Sequence, residues 1–157
     1  MVTPHLPPDQ AANALLPQLL GEGLEQRGHE VTYVAFEPKH GDALSVASAL
    51  TLRRPSSGWA RKMRLSQLST LIEMIGRASP ILHNADVVHL HSNTFMNQVS
   101  AFLAYRRNRP FILTHYGTEI WHYRRRRPVD PFLWMNRKAA HVTYYSRLLL
   151  ERSLELG

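Results

Sequence analysis

Short segments rich in β-branched and aromatic residues alternate along this chain with longer segments whose apolar residues recur at helical spacing. Parallel strands need crossover connections, and those connections are usually helical. The alternation therefore predicts an α/β fold, a mostly parallel sheet with helices on both faces. The predicted strands are residues 30–36, 44–53, 86–91, 111–114 and 141–145, and the predicted helices are residues 9–27, 65–79, 94–107, 131–138 and 146–156.

Glycine and proline residues set the ends of these segments. Gly28 follows the first predicted helix, in a position where glycine commonly ends a helix, and leads into the first predicted strand. Pro17 lies inside that helix and predicts a kink. Pro80 is predicted to end the helix that starts at residue 65, because proline has no N–H for a helical hydrogen bond. Residues 54–63 are rich in loop-forming residues and predict a mobile loop.

Length and composition limit the classes of protein. A chain of 157 residues with 44% hydrophobic residues suits one compact core, so a single domain over residues 1–157 is expected. The chain has no cysteine, which excludes disulfides, thiolate zinc sites and a cysteine nucleophile. It shows neither a secretory signal nor an apolar run of about 20 residues. A cytoplasmic location, with peripheral contact at the inner face of the membrane as an option, is expected.

The formal charge of +7 favours an anionic partner. Its densest contribution is the run Arg124, Arg125, Arg126 and Arg127, which follows a Trp-His-Tyr triplet and precedes a proline. Adjacent arginines beside aromatic rings suit an anionic membrane surface or a phosphorylated acceptor. The alternative interpretation is a solvated loop.

Ligands of parallel sheets bind at the carboxyl ends of the strands, so the loops after the predicted strands are the candidate site. Asp9 stands where it could cap a helix or where a helix N-terminus could receive an anion. Gly117 permits a close backbone approach, and Thr118 and Glu119 offer a hydroxyl and a carboxylate to sugar hydroxyls. The predicted cleft residues are Pro8, Asp9, Gln10, His91, Ser92, Asn93, Tyr116, Gly117, Thr118 and Glu119.

Histidines raise the question of a metal site. His89 and His91 lie two residues apart on one predicted strand and share a face, and His115 follows another strand. No thiolate, HExxH spacing or nearby carboxylate completes a ligand set, so no metal is expected. Ser146 is expected to cap the last helix.

Four stretches occur in the order and spacing of a known family. They are residues 3–8 (TPHLPP) leading through a long helix into 27–32 (RGHEVT), residues 85–92 (ADVVHLHS), residues 109–119 (RPFILTHYGTE), and Tyr145-Ser146 before the last helix. Together they resemble the start of the family-4 retaining glycosyltransferases, and the resemblance covers nearly the whole chain. It implies a Rossmann-like domain that forms the N-terminal, acceptor-side half of a GT-B fold.

The resemblance also implies what lies outside this chain. A nucleotide-sugar donor is expected to bind a C-terminal domain of the same enzyme, so no cofactor is expected in residues 1–157. The partner of this half would be a sugar or lipid-linked acceptor, and the half alone is expected to be inactive. The family begins with a complete apolar strand, whereas only residues 1–3 precede the first loop here, so a truncated first strand is expected.

The resemblance further places a histidine immediately before the glycine of its HGT motif. Here Tyr116 occupies that place, and His115 lies one residue earlier. One residue along a strand reverses the face, so His115 would take the catalytic role of the family histidine only if the strand has ended by Thr114.

Two other functions are compatible with the sequence. A basic α/β module could bind nucleic acid, but the chain carries no recognised nucleic-acid motif, so no nucleic-acid partner is expected. A GT-B relative could instead epimerise a nucleotide sugar. The sequence beyond residue 157 would discriminate between transfer and epimerisation.

Overall fold

The computed structural model describes residues 1–9, 12–38, 44–46, 48–54, 65–125 and 128–156. Three predicted site residues, Gln10, Arg126 and Arg127, lie outside this description, as does most of the predicted loop at 54–63. The described strands are β1 (Tyr33–Phe36), β2 (Ala49–Leu52), β3 (Val88–His91), β4 (Phe111–His115) and β5 (His141–Tyr144). The described helices are α1 (Ala12–Glu25), α2 (Leu65–Glu73), a π-helical turn (Met74–Ala78), α3 (Ser79–Asn84), α4 (Phe95–Arg106), α5 (Thr118–Trp121), α6 (Pro131–Lys138) and α7 (Arg147–Glu155).

Every strand pairing among the described residues is parallel, which confirms the predicted α/β class. β1 pairs with β2, and β3, β4 and β5 form a second set in that order. Val2 joins the two sets through single parallel bridges to Val34 and Leu90. Residues 1–3 thus take the central place between β1 and β3.

Alternate residues of the central strands face two apolar layers. Val34 and Phe36 of β1 join the main core with the helices that follow β2, whereas Tyr33 and Ala35 join a second cluster against α1. Helices therefore cover both faces of β1. Farther along the sheet, Leu90, Phe111 and Leu113 point into the main core, and a third cluster lies under α5, α6 and α7.

Pro17 is accommodated inside α1 by a contact from the first loop. Because proline donates no hydrogen bond, the carbonyl of Asn13 four residues earlier loses its usual helical partner. The Thr3 hydroxyl donates to that carbonyl at 2.5 Å and also to the His5 carbonyl at 3.0 Å. The first loop is thereby fixed to the first helix.

The prediction that Pro80 ends a helix is wrong. The chain stays helical through α2, the π turn and α3, up to Asn84. At the end of the π turn, the Ser79 N–H donates to the Met74 carbonyl five residues earlier. Pro80 then occupies the first turn of α3, where its missing N–H costs no hydrogen bond.

A cavity lies at the amino ends of the strands. It has a volume of about 670 Å³ and lies below Met1, between Val31 and Thr32 before β1 and Asp86 and Val87 before β3. Ligands of parallel sheets bind at the opposite edge, so this cavity is not the candidate site.

Candidate functional site

The loop after β3 is held rigidly at the carboxyl edge of the sheet. Ser92 adopts a left-handed backbone conformation with φ of 69°, and its N–H donates to the Thr114 carbonyl at 2.8 Å. The buried Asn97 amide donates to the carbonyls of His91 at 2.6 Å and Ser92 at 2.7 Å. Thr94 caps α4 by accepting from the Asn97 N–H. Asn93 is left partly exposed at the rim of the sheet.

A direct side-chain contact joins this loop to the end of β4. His91 Nδ1 and the Tyr116 hydroxyl lie 2.8 Å apart, so two predicted site segments do converge. His89 stacks on His91 with ring centroids 4.2 Å apart, and its Nε2 lies 2.7 Å from the Thr114 hydroxyl. A polar layer therefore covers the face of β3 and β4 that lies opposite the main core.

His91 is buried and electrically neutral at physiological pH. Burial, the neighbouring His89 and the Met1 α-amino group hold the pKa of His91 well below its usual 6.5. Its Nε2 is buried and has no hydrogen-bond partner among the described residues. A buried polar atom without a partner costs about 1–3 kcal/mol.

His115 lies on the other face of the sheet. β4 continues through His115, so its side chain faces the opposite way from that of Thr114, and the catalytic role of His115 stays a prediction. The ring is completely buried against Phe132, with Nδ1 3.2 Å from Glu119 Oε1 and Nε2 3.0 Å from Asn136 Oδ1. This placement keeps His115 away from the exposed rim, whereas Tyr116 is partly exposed there.

Glu119 connects the two sides of this turn. Its Oε1 accepts a hydrogen bond from the Tyr116 N–H at 3.1 Å and contacts His115. Burial alone would raise the pKa of the carboxyl, but the hydrogen bonds from His115 and the backbone hold it below its usual value. Gly117, with φ of 131°, makes the tight turn into α5, and Thr118 is exposed. The turn thus presents an ionised carboxylate near the rim.

The first loop carries a cluster of charged side chains. The Asp9 carboxylate contacts His5 Nδ1 at 2.8 Å and the Arg54 guanidinium at 2.7 Å. Arg54 also donates to the Glu37 carbonyl, which follows β1. The cluster stands beyond the carboxyl ends of the first strand, β1 and β2, while Pro8 is exposed. Because Gln10 is not described, the predicted cap and anion roles of Asp9 stay predictions.

A small polar pocket opens between the loops after β3 and β4. Its volume is about 160 Å³. Among its lining residues, Asn93, Glu119 and Arg124 belong to the predicted site, whereas Gln98, His122 and Asp130 were not predicted. One sequence feature could have indicated Gln98: it lies four residues after the α4 cap Thr94, one turn into the helix. Arg124 and Arg125 are exposed next to this pocket.

Two negative observations apply to the described part of the chain. No three His, Asp or Glu side chains there gather into a possible metal-ligand set. No helix among those residues is long and apolar enough to cross a bilayer. Ser146 caps α7 as expected, accepting from the Leu149 N–H.

Comparison with known proteins identifies the family. The model of Glycosyltransferase Family 4 matches residues 18–157, which include β1, the β3 loop and the turn at Tyr116–Glu119. A search of curated proteins finds no match. The family match covers most of the chain and agrees with the parallel α/β architecture. The chain therefore belongs to glycosyltransferase family 4.

Proposed function

We propose that this domain holds the acceptor in a glycosyltransferase that moves a sugar, with retention, from a nucleotide-sugar donor to a glycan or lipid-linked acceptor. The observation that carries the proposal is the convergence of Asn93 and Glu119 in the lining of a polar pocket at the carboxyl edge, with the Tyr116 N–H bonded to Glu119. An ionised carboxylate and amides are groups that bind sugar hydroxyls. Sugar transfer requires an acceptor hydroxyl aligned within about 3 Å of the anomeric carbon, and a rigid rim supplies such alignment.

Residues 1–157 alone are expected to show no measurable transfer, because the donor's phosphate ligands are assigned to a separate domain. The test joins these residues to a donor-binding domain of the family and supplies a panel of nucleotide sugars. In the joined protein, Glu119→Gln is expected to lower acceptor-dependent transfer at least about tenfold while hydrolysis of the donor persists. Glu151→Gln, on exposed α7, is the matched control. Turnover by residues 1–157 alone would contradict the half-enzyme proposal.

Peripheral membrane binding is a second part of the proposal. Arg124 and Arg125 are exposed, and Trp121 nearby is half exposed, an arrangement suited to lipid headgroups. Changing Arg124 to Arg127 together to glutamine is expected to weaken binding to phosphatidylglycerol vesicles and to leave the fold unchanged. Each basic residue near a charged membrane contributes about 1 kcal/mol, so the bound fraction should fall visibly in a sedimentation assay.

The control variant removes four positive charges at other exposed positions. A variant with glutamine at Arg27, Arg106, Arg107 and Arg147, all exposed, should keep most of the vesicle binding. Neutral phosphatidylcholine vesicles should bind every form equally, and salt should weaken the wild-type interaction. Equal loss in both glutamine variants would mean that only net charge matters, and that Arg124 to Arg127 form no specific membrane site.

A further inference from the structure

The pair formed by His91 and Tyr116 has a defined direction of hydrogen bonding. Burial, aided by the negative charge of Glu119, raises the pKa of Tyr116 to about 12, so its hydroxyl keeps its proton. His91 is neutral and therefore has one N–H and one lone pair. A phenol is a stronger donor than a neutral imidazole, and an imidazole nitrogen is a stronger acceptor than a phenol oxygen. The Tyr116 hydroxyl therefore donates to His91 Nδ1 across the 2.8 Å contact.

The direction of this hydrogen bond determines where the protons of His91 and Tyr116 lie. With Nδ1 accepting, the proton of His91 lies on Nε2, because the hydrogen bond at one ring nitrogen sets the tautomer. The proton of Tyr116 is committed to His91, so its oxygen presents lone pairs to other partners. Tyr116 is partly exposed at the rim, while His91 behind it is 1% exposed. A ligand at the rim would therefore meet the Tyr116 oxygen as a hydrogen-bond acceptor.

We propose that Tyr116, oriented by His91, accepts a hydrogen bond from a hydroxyl of a neutral sugar at this rim. This proposal rests on the proposed acceptor-binding function and specifies one contact with the bound sugar. Glu119 supports the choice, since its ionised carboxylate accepts the Tyr116 N–H at 3.1 Å and so places a negative charge next to Tyr116. In this arrangement Tyr116 contacts the sugar, and His91 is a positioning residue that acts through Tyr116.

The tautomer is measured on the 157-residue protein without any substrate. Nitrogen-15 NMR of the histidine rings is expected to show His91 with a proton on Nε2 and none on Nδ1. Tyr116→Phe is expected to shift the Nδ1 resonance and to leave the amide spectrum of the core unchanged. A proton on Nδ1 in the wild-type protein would overturn the proposed orientation.

Ligand chemistry is tested by titration with methyl glucoside, and with glucuronate as the anionic counterpart. The Tyr116 and His91 signals are expected to move with methyl glucoside and to respond more weakly to glucuronate. Tyr116→Phe should weaken methyl glucoside binding about fivefold, the loss of one ordinary hydrogen bond. Tyr145→Phe is the matched control, because Tyr145 is 67% exposed with its ring centroid 6.5 Å from that of Tyr116.

The outcomes separate this assignment from the wider function. Unchanged binding by Tyr116→Phe, a response to glucuronate equal to that of methyl glucoside, or no binding of methyl glucoside by the wild type would each overturn the role of Tyr116. None of these results bears on acceptor-dependent transfer by the joined protein with a donor domain, which Glu119→Gln tests. Loss of transfer activity with an intact Tyr116 response would instead overturn the proposed enzyme function alone.

Discussion

Acidification from pH 7 to pH 4 is expected to lower the free energy of unfolding by about 3 kcal/mol through His89 alone. Burial, with the nearby Met1 α-amino group, lowers the pKa of His89 from 6.5 to about 4. Between pH 4 and pH 6.5, the His89 ring therefore binds a proton in the unfolded chain but not in the folded chain. The stabilisation is therefore complete above about pH 6.5 and is lost as the pH falls to 4. His91, whose pKa is also lowered, adds to the loss.

Urea unfolding followed by circular dichroism at pH 7, 6, 5 and 4 measures this effect. His89→Gln keeps a group able to bond the Thr114 hydroxyl and removes the titration, so its stability should fall less over the same range. His83→Gln, at an exposed position, is the control and should follow the wild-type curve. Parallel curves for His89→Gln and the wild type would show that His89 does not cause the acid sensitivity.

Gly21→Ala is expected to destabilise the domain by about 2 kcal/mol, and Gly23→Ala to stabilise it by roughly 0.5–1 kcal/mol. Both glycines lie in α1. A Cβ at Gly21 would overlap the hydroxyl of Tyr33 and come within 3.3 Å of Val31. Tyr33 is 2% exposed and its rigid ring has no room to move. At Gly23 the nearest atom is 3.6 Å away, so only the gain in helix propensity remains.

Thermal or urea unfolding of both variants gives the comparison directly. The Tyr33→Phe background sharpens the comparison, because removing the hydroxyl removes the nearer of the two overlapping atoms and leaves only the ring carbon Cζ, 2.7 Å from the added Cβ. Gly21→Ala should then cost less in that background than in the wild type, a coupling that a double-mutant cycle measures. Equal costs in the two backgrounds would place the strain of Gly21→Ala elsewhere in α1.

Much of the fold could be predicted from local patterns. Gly28 and the residues that follow it predicted the turn into β1, and the structure places β1 at Tyr33–Phe36. The caps at Thr94 and Ser146 depend on a side chain and a backbone N–H three residues later, so a short sequence window contains them. Pro80 was misjudged because a π turn changes which carbonyl each N–H reaches, and that depends on packing.

The candidate site was predicted only as a set of segments. The carboxyl-end rule placed the loops after β3 and β4 on one edge, and the His91–Tyr116 contact agrees with it. The pocket residues Gln98, in α4, and Asp130, the cap of α6, were missed because they approach the rim only in three dimensions. Arg54 was likewise missed, since nothing in the sequence shows its ion pair with Asp9.

The sequence by itself determined the parallel α/β class, the family and the segments that form the rim, because periodicity, turn residues and motif order are local properties of a chain. Only the tertiary structure decided which histidine contacts the Tyr116 hydroxyl. His115 and Tyr116 are neighbours in sequence, yet β4 runs through His115 and turns its ring into the core. Tyr116 faces His91, 25 residues away along the chain. The end of a strand is set by its pairing with β3 and β5, and that pairing is long-range.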